Sequence, residues 1–368
     1  MARSGKLLWW IVPLFAVAVI AQTRSPIHLD HANSLVVTEE GGVICRELRG
    51  DVKMTKDSLT MTCDHALHYP DSGRVVFLRN VEVRDPHRIL LADKITYDEL
   101  SEVIEAGGHV RVYQGDTLSV TSRRARYYQQ LSQGHLFDDV RINERSRRLV
   151  LIGQIGYLDH VRQYGRVTGN PVMTEGDSTF RIVTRVTGDT VEYFGEEKRV
   201  RVAGNVTIVR DSLVATGQVL DYFTDERMAV LLGSPEAVRG ENHTRGDTMK
   251  LFFDNEQLSR VEMIGQALAT SPADSSFPEP LNRMEGQRMT LWITDGVITE
   301  ALVEGTAIAT YYIRDQDKKR GMNVTSGDRL LIFFADRQMS RIRVEGGTQG
   351  TYTPQRLTAV PANNDIKR

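Results

Sequence analysis

The feature that most constrains this chain is a seven-residue pattern that returns at a fixed interval. Gly188-Asp189-Thr190-Val191-Glu192-Tyr193-Phe194, Gly217-Gln218-Val219-Leu220-Asp221-Tyr222-Phe223 and Gly246-Asp247-Thr248-Met249-Lys250-Leu251-Phe252 match almost letter for letter, with starts 29 residues apart. The pattern returns as Gly286-Gln287-Arg288-Met289-Thr290-Leu291-Trp292 and as Gly327-Asp328-Arg329-Leu330-Leu331-Ile332-Phe333, at intervals of 40 and 41. Looser copies end at Tyr97, Tyr127 and Tyr157, and an eroded first copy ends at Tyr69. Self-similarity at such a period means that each copy is one supersecondary unit too small to bury its own apolar face. Neighbouring copies must stack and share a core.

Each copy is followed by a short polar turn and a run that alternates with period two. Val200, Val202, Gly204, Val206 and Ile208 lie on one face, with Arg199, Arg201, Ala203, Asn205 and Thr207 on the other. Val261, Met263, Gly265, Ala267 and Ala269 repeat the arrangement, as do 103–112 and Ile342, Val344 and Gly346. Alternation at 180° per residue with β-branched side chains predicts half-buried strands. Gly107-Gly108, Gly169-Asn170, Gly204-Asn205, Gly233-Ser234 and Gly346-Gly347 fall inside or beside these runs, where glycine marks a bulge or a sharp bend. The prediction is an all-β, elongated antiparallel stack of about nine tandem two-strand repeats, each with a corner in its second strand.

Breaks in the period predict inserted, exposed loops at 271–281 and 314–323, and an unstructured tail at 353–368. The longer step between Tyr157 and Tyr193 divides the repeats into an N-terminal set, 27–170, and a C-terminal set, 171–352. The first 21 residues read as a signal peptide. Arg3 and Lys6 precede an apolar run, Leu7 to Ile20, which is too short for a bilayer-spanning helix and is interrupted by Pro13. The mature chain is therefore expected to be exported. With 46 Lys+Arg against 48 Asp+Glu, no basic field points to nucleic acid.

Two facing sheets with inner faces of Val, Ile, Met, Ala and Gly either mate fully as a sandwich core or stand slightly apart and leave a lengthwise apolar trough. Sequence does not choose between them.

Ala92-Asp93-Lys94-Ile95-Thr96-Tyr97-Asp98 with Glu105-Ala106-Gly107-Gly108-His109-Val110-Arg111-Val112, Gln114-Gly115-Asp116-Thr117-Leu118, and Val202-Ala203-Gly204-Asn205-Val206-Thr207-Ile208 resemble the repeats of the OstA-like (LptA) family of periplasmic lipopolysaccharide-transport proteins. Met61-Thr62-Cys63-Asp64-His65-Ala66 is similar to the opening of its longer members. The resemblance covers about residues 27–352. It implies a β-jellyroll, a U-shaped "taco" whose interior takes lipid acyl chains. It also implies a periplasmic, outer-membrane-associated setting with lipopolysaccharide and the inner- and outer-membrane transport components as partners. Open edge strands would allow self-association. The chain is about twice the length of a minimal family domain.

The inward parity of the regular strands nominates Ile95, Tyr97, Val110, Val112, Tyr193, Val202, Val206, Ile208, Tyr222, Val261, Met263, Ile342 and Val344 as lipid-lining, with ordinary sandwich core as the competing role of each. Cys45 and Cys63 can form a disulfide only if their strands are adjacent, and two unpaired thiols are the favoured alternative. His65 and His68 fall on opposite faces of a strand, which argues against a metal site. No nucleophile elbow, zinc-protease motif, phosphate loop or dinucleotide fingerprint occurs, so no cofactor and no catalytic role are expected. A β-solenoid polysaccharide lyase or carbohydrate-binding module would need a lateral row of acids, arginines or aromatics, and none recurs at the repeat period. A membrane barrel would need an apolar outer face, whereas Arg199, Arg201, Arg341 and Arg343 share one face of their strands.

Overall fold

The computed structural model describes residues 26–354 apart from 178, 180, 255–256, 275–276, 316–317 and 336–337. The signal-peptide segment and residues 355–368 lie outside the described residues. The expected all-β antiparallel architecture is found, with 26 strands and a single 3-10 turn, Arg145–Arg147, among the described residues. No helix in them is long and apolar enough to cross a membrane. The chain forms two compact units, 26–211 with 216–228, and 212–215 with 229–354.

The first unit opens with β1 (His28–His31), β2 (Ser34–Glu40), β3 (Val43–Lys56) and β4 (Leu59–Tyr69). It continues through β5 (Arg74–Arg84), β6 (Arg88–Asp98), β7 (Val103–Gln114), β8 (Leu118–Tyr128), β9 (Gln133–Glu144) and β10 (Leu149–Asp159). Next come β11 (Tyr164–Thr168), β12 (Val172–Gly176), β13 (Ile182–Thr187), β14 (Thr190–Phe194), β15 (Arg199–Arg210) and β16 (Leu213–Phe223), the last lying mostly in this unit. From β3 to β10 each strand pairs with its successor, so sequence neighbours are spatial neighbours.

The second unit carries β17 (Met228–Leu232), β18 (Glu236–Arg239), β19 (Asn242–Arg245), β20 (Thr248–Asp254) and β21 (Gln257–Asp274). It closes with β22 (Phe277–Thr294), β23 (Val297–Asp315), β24 (Lys318–Ala335), β25 (Gln338–Glu345) and β26 (Gln349–Pro354).

The recurring glycines build one device. Consecutive residues with left-handed φ occur at 50–51, 79–80, 108–109, 138–139, 169–170, 204–205, 233–234, 265–266, 305–306 and 346–347. Two left-handed residues in succession bulge a strand and turn it through a corner. Opposite several of these corners sits the acidic residue of the seven-residue pattern. The Asp189 N–H donates to the carbonyls of Ala203 and Gly204 at 2.9 and 3.0 Å, and the Asp247 N–H to those of Ile264 and Gly265 at 3.0 and 2.9 Å. The Asp328 N–H reaches the Gly346 carbonyl at 2.9 Å. The Gly-Asp and Gly-Asn dipeptides read from sequence are thus two halves of one corner, contributed by adjacent strands.

Some corners break the strand outright. β11 and β12 both pair with β10, β13 and β14 with β15, and β19 and β20 with β21. The same holds for β1 and β2 on β3, and for β25 and β26 on β24. Residue 170, the expected division between repeat sets, is the corner between β11 and β12, inside the first unit.

Because each strand bends near its middle, its two arms face each other. Leu48 before the corner of β3 and Val52 and Met54 after it belong to one apolar cluster, as do Ala106, Val110 and Val112 of β7. In the second unit Met249, Met263, Met289, Val303 and Leu330 are wholly buried. Outward positions pair charges across strands, as in Arg123–Asp139 at 2.6 Å and Arg329–Glu304 at 2.7 Å.

Two expectations need correction, and the alternative left open for the cysteines is decided. The segments 271–281 and 314–323, read as loops, are the ends of long hairpins: Ser271 pairs with Asn282 and Pro272 with Leu281, while Tyr311 pairs with Asn323 and Ile313 with Gly321. A polar segment satisfies its backbone groups by extending a ladder without needing a core. The tail begins later than read, since Thr353 and Pro354 pair with Met322 and Gly321. The disulfide between Cys45 and Cys63 is not formed. Register places Cys63 opposite Val52 and His68 opposite Arg46, the chain neighbour of Cys45, so the two thiols sit on different arms of the bent hairpin, seven residues apart along β3 across the corner at 50–51. A disulfide needs Cα atoms within about 7 Å. Cys63 is buried, with its thiol donating to the His65 carbonyl at 3.2 Å, and burial pushes its pKa up. A thiol reagent should modify Cys45 rapidly in the native protein and Cys63 only on unfolding. Recovery of fewer than two thiols from denatured, unreduced protein would contradict this.

Candidate functional site

The inner faces of the bent strands form the candidate site. Of the thirteen residues nominated from sequence, Ile95, Tyr97, Val110, Val112, Tyr193, Val202, Val206, Val261 and Met263 are at most 7% exposed. Ile208, Tyr222, Ile342 and Val344 are half-buried. The local reason is simple. A corner of two left-handed residues displaces the alternation by an even number, so Val110 and Val112 keep the face of Ala106, and Val206 keeps the face of Val202. The arms meet across an interior of aliphatic side chains.

Polar groups gather where the strand ends of the two arms approach one another. The Lys56 ammonium, at the end of β3, donates to the Tyr97 hydroxyl at 2.6 Å and lies 4.7 Å from its ring centre. Burial, relieved in part by the Ser132 hydrogen bond and the Arg88 charge, pushes the Tyr127 phenol up to about 12.

At the amino-terminal edge the apolar lining is uncovered. Leu35 pairs with Leu48 and Val37 with Arg46, so both lie on the inner parity of β3, yet they are 52% and 60% exposed. Leu29, opposite Met54, is also exposed.

The outer face of the first unit carries a feature that sequence did not disclose. Tyr128, His135, Tyr157, Tyr164 and Phe194 form a row across β8, β9, β10, β11 and β14, with successive ring centres 5.8, 5.1, 6.0 and 5.3 Å apart. Phe137 stacks on His135 at 6.2 Å. These rings point outward because their chain neighbours Tyr127 and Tyr193 are buried, and Leu136 and Leu158 pack on the core. Beneath the row, Asp159 is 2% exposed and accepts from Tyr157 Oη at 3.3 Å, Gln133 Nε2 at 3.0 Å and the Arg162 N–H at 2.9 Å. Burial and then the Glu192 carboxylate push the Tyr164 phenol up to about 12. Burial, then the Arg126 charge, lowers the His135 pKa, which keeps that ring neutral at pH 7. The row was hidden because only pairing register brings residues 128–194 together. The one local signal was aromatic residues on both sides of the turns after Tyr128 and Tyr157.

Residues 71–167 match the family model described as "OstA-like protein". No curated protein matches the chain. Among solved structures, the chain is similar to LptH, the LptA-homologous periplasmic component of the lipopolysaccharide transport device of Pseudomonas aeruginosa. The two share 17% identity at a TM-score of 0.28, over 37% of this chain and 91% of that one.

Proposed function

We propose that this chain, OstA-like over residues 71–167, is a non-enzymatic periplasmic carrier that shelters the acyl chains of lipopolysaccharide between the arms of its bent strands and passes them toward the outer membrane. The observation that carries the reading is the aliphatic interior of the first unit together with its uncovered lip at Leu29, Leu35 and Val37. An acyl chain of about 12 carbons costs on the order of 10 kcal/mol to expose to water, at roughly 0.8 kcal/mol per methylene. Entering between the arms exchanges arm-to-arm apolar contact for chain-to-arm contact, so the cost of parting them is small beside that sum. Binding spread over many equivalent aliphatic side chains has no deep minimum, and the guest can slide.

In this reading Ile95, Tyr97, Val110, Val112, Tyr193, Val202, Val206, Ile208 and Tyr222 line the interior of the first unit, and Val261, Met263, Ile342 and Val344 that of the second. Inner- and outer-membrane transport components, or further copies of the chain, join at the exposed edge strands. The test is photocrosslinking in cells from Val206 and Val110, with Arg123 on the outer face as control. Lipopolysaccharide adducts should form from the two inner positions and not from the control. Adducts from none of the three, in a folded and exported protein, would overturn the carrier.

A further inference from the structure

We infer that the outward aromatic row from Tyr128 to Phe194 is a binding site for the glycan part of an amphiphile whose acyl chains occupy the interior. The inference rests on the carrier reading for its biological setting, and on the row itself for its chemistry.

Cross-strand aromatic pairs stabilise any sheet, so stability alone must be weighed first. At two outward rings elsewhere among the described residues, an arginine from the next strand covers the ring. The guanidinium of Arg260 lies 3.9 Å from the centre of the Phe252 ring, and that of Arg341 lies 4.1 Å from Phe333. The row keeps this arrangement at one end, where Arg199 lies over Phe194 at 4.1 Å, and beside it, where Arg124 lies over Phe137 at 5.5 Å. From Tyr128 to Tyr164 ring follows ring, and Tyr128, His135, Tyr157 and Tyr164 are all half-buried, each with part of its surface open to solvent. The arginine cover seen at Phe252 and Phe333 gives way here to an uninterrupted aromatic strip.

A strip of partly exposed rings stepping by 5.1–6.0 Å fits a linear saccharide. The C–H face of a pyranose is apolar and slightly positive, the ring face is apolar and negative, and the step is about the length of one sugar unit. Hydroxyls at the sugar's edge need donors and acceptors beside the rings, and Arg126, Arg166 and Glu192 stand on the same outward face. His135 contributes as a neutral ring, so no cation is needed to hold the guest.

Position argues the same way. Tyr128 and Phe194 end their strands, and Tyr164 begins its own. The strip therefore runs along the outside of the row of turns opposite the corners. A head group leaving the interior at those strand ends meets the strip after one bend over the turns.

The experiment labels tyrosines in the full-length folded protein for NMR and titrates two probes separately. One is the acyl-free oligosaccharide released from lipopolysaccharide, the other a fluorescent fatty acid. The oligosaccharide should perturb Tyr128, Tyr157 and Tyr164 at millimolar concentration and leave Tyr193 unmoved. The double variant Tyr157→Leu/Tyr164→Leu, which keeps apolar bulk on the sheet, should weaken it at least tenfold with fatty-acid binding unchanged. Tyr128→Leu alone, at the end of the row, should weaken it by a smaller factor and serves if the double variant does not fold. Absence of perturbation at the row, or equal affinity in a folded variant, overturns the site. Oligosaccharide binding without fatty-acid binding would leave the glycan site standing and remove the carrier.

Discussion

Gly204→Ala is expected to lower the stability of the first unit by about 3 kcal/mol, and Gly115→Ala by only about 1 kcal/mol. Both glycines have left-handed φ, +77° and +53°, so both substitutions meet backbone strain. What differs is the neighbour. A Cβ on Gly204 would stand 2.1 Å from Asp189 Oδ2 and 2.9 Å from its Cβ, whereas one on Gly115 meets nothing within 4 Å. Asp189 cannot swing away freely, because its carboxylate accepts from Asn205 Nδ2 at 3.2 Å and its backbone N–H is tied to the corner. Urea denaturation of the two variants measures the difference. Adding Asp189→Ala to Gly204→Ala should recover part of the loss, since the two residues form one contact. Equal losses from the two glycine substitutions would show that the acid does not brace the corner.

The second large effect is expected at Asp221. Its carboxylate, 9% exposed, accepts from Arg199 Nη1 at 2.8 Å and from Arg201 Nε and Nη2 at 2.8 and 2.7 Å. Asp221→Asn keeps the shape and removes the charge, leaving Arg199, itself 11% exposed, short of its counter-ion. Breaking a buried pair in this way costs about 3–5 kcal/mol. The Glu197 carboxylate, 2.6 Å from Arg199, holds the loss toward the lower figure.

The pH dependence follows. Burial alone would raise the Asp221 pKa, but the hydrogen bonds from Arg201 and Arg199 outweigh it and hold the group below its ordinary 3.8. A depressed carboxylate stabilises the fold above its unfolded value and loses that contribution as pH falls through its folded value. The wild type should therefore lose stability as pH drops below 3.8, and Asp221→Asn should lose less over the same interval. Asp98 and Asp159 are also held low, so the acid limb is reduced rather than abolished. Parallel acid limbs in urea midpoints would show that Asp221 is not the group responsible.

Strand positions were legible because alternation is local: each of Val110, Val112, Val202 and Val206 declares its face through its two chain neighbours. The corners were legible for the same reason, as glycines interrupting an alternating run. Phase was less secure in an eroded copy. Tyr157, which the repeat pattern equates with Tyr193, faces outward, and Leu158 takes the inner place, because that copy is out of step by one residue and a one-residue slip reverses every side chain. Hairpin length also escaped, since the polar segments at 271–281 and 314–323 pair through their backbone, which composition does not report.

The amino-acid order by itself determined that this is a stack of bent antiparallel strands with an aliphatic inner face, because a side-chain period of two and a repeat near 29 residues admit few other ways to bury apolar surface. Only the tertiary structure decided which residues meet across strands: Asp189 on Gly204, Asp221 between two arginines, Cys45 far from Cys63, and five rings from β8 to β14 in a single row. Those contacts depend on register, which is set by corners and turns acting together over many strands and is written in no one segment of the chain.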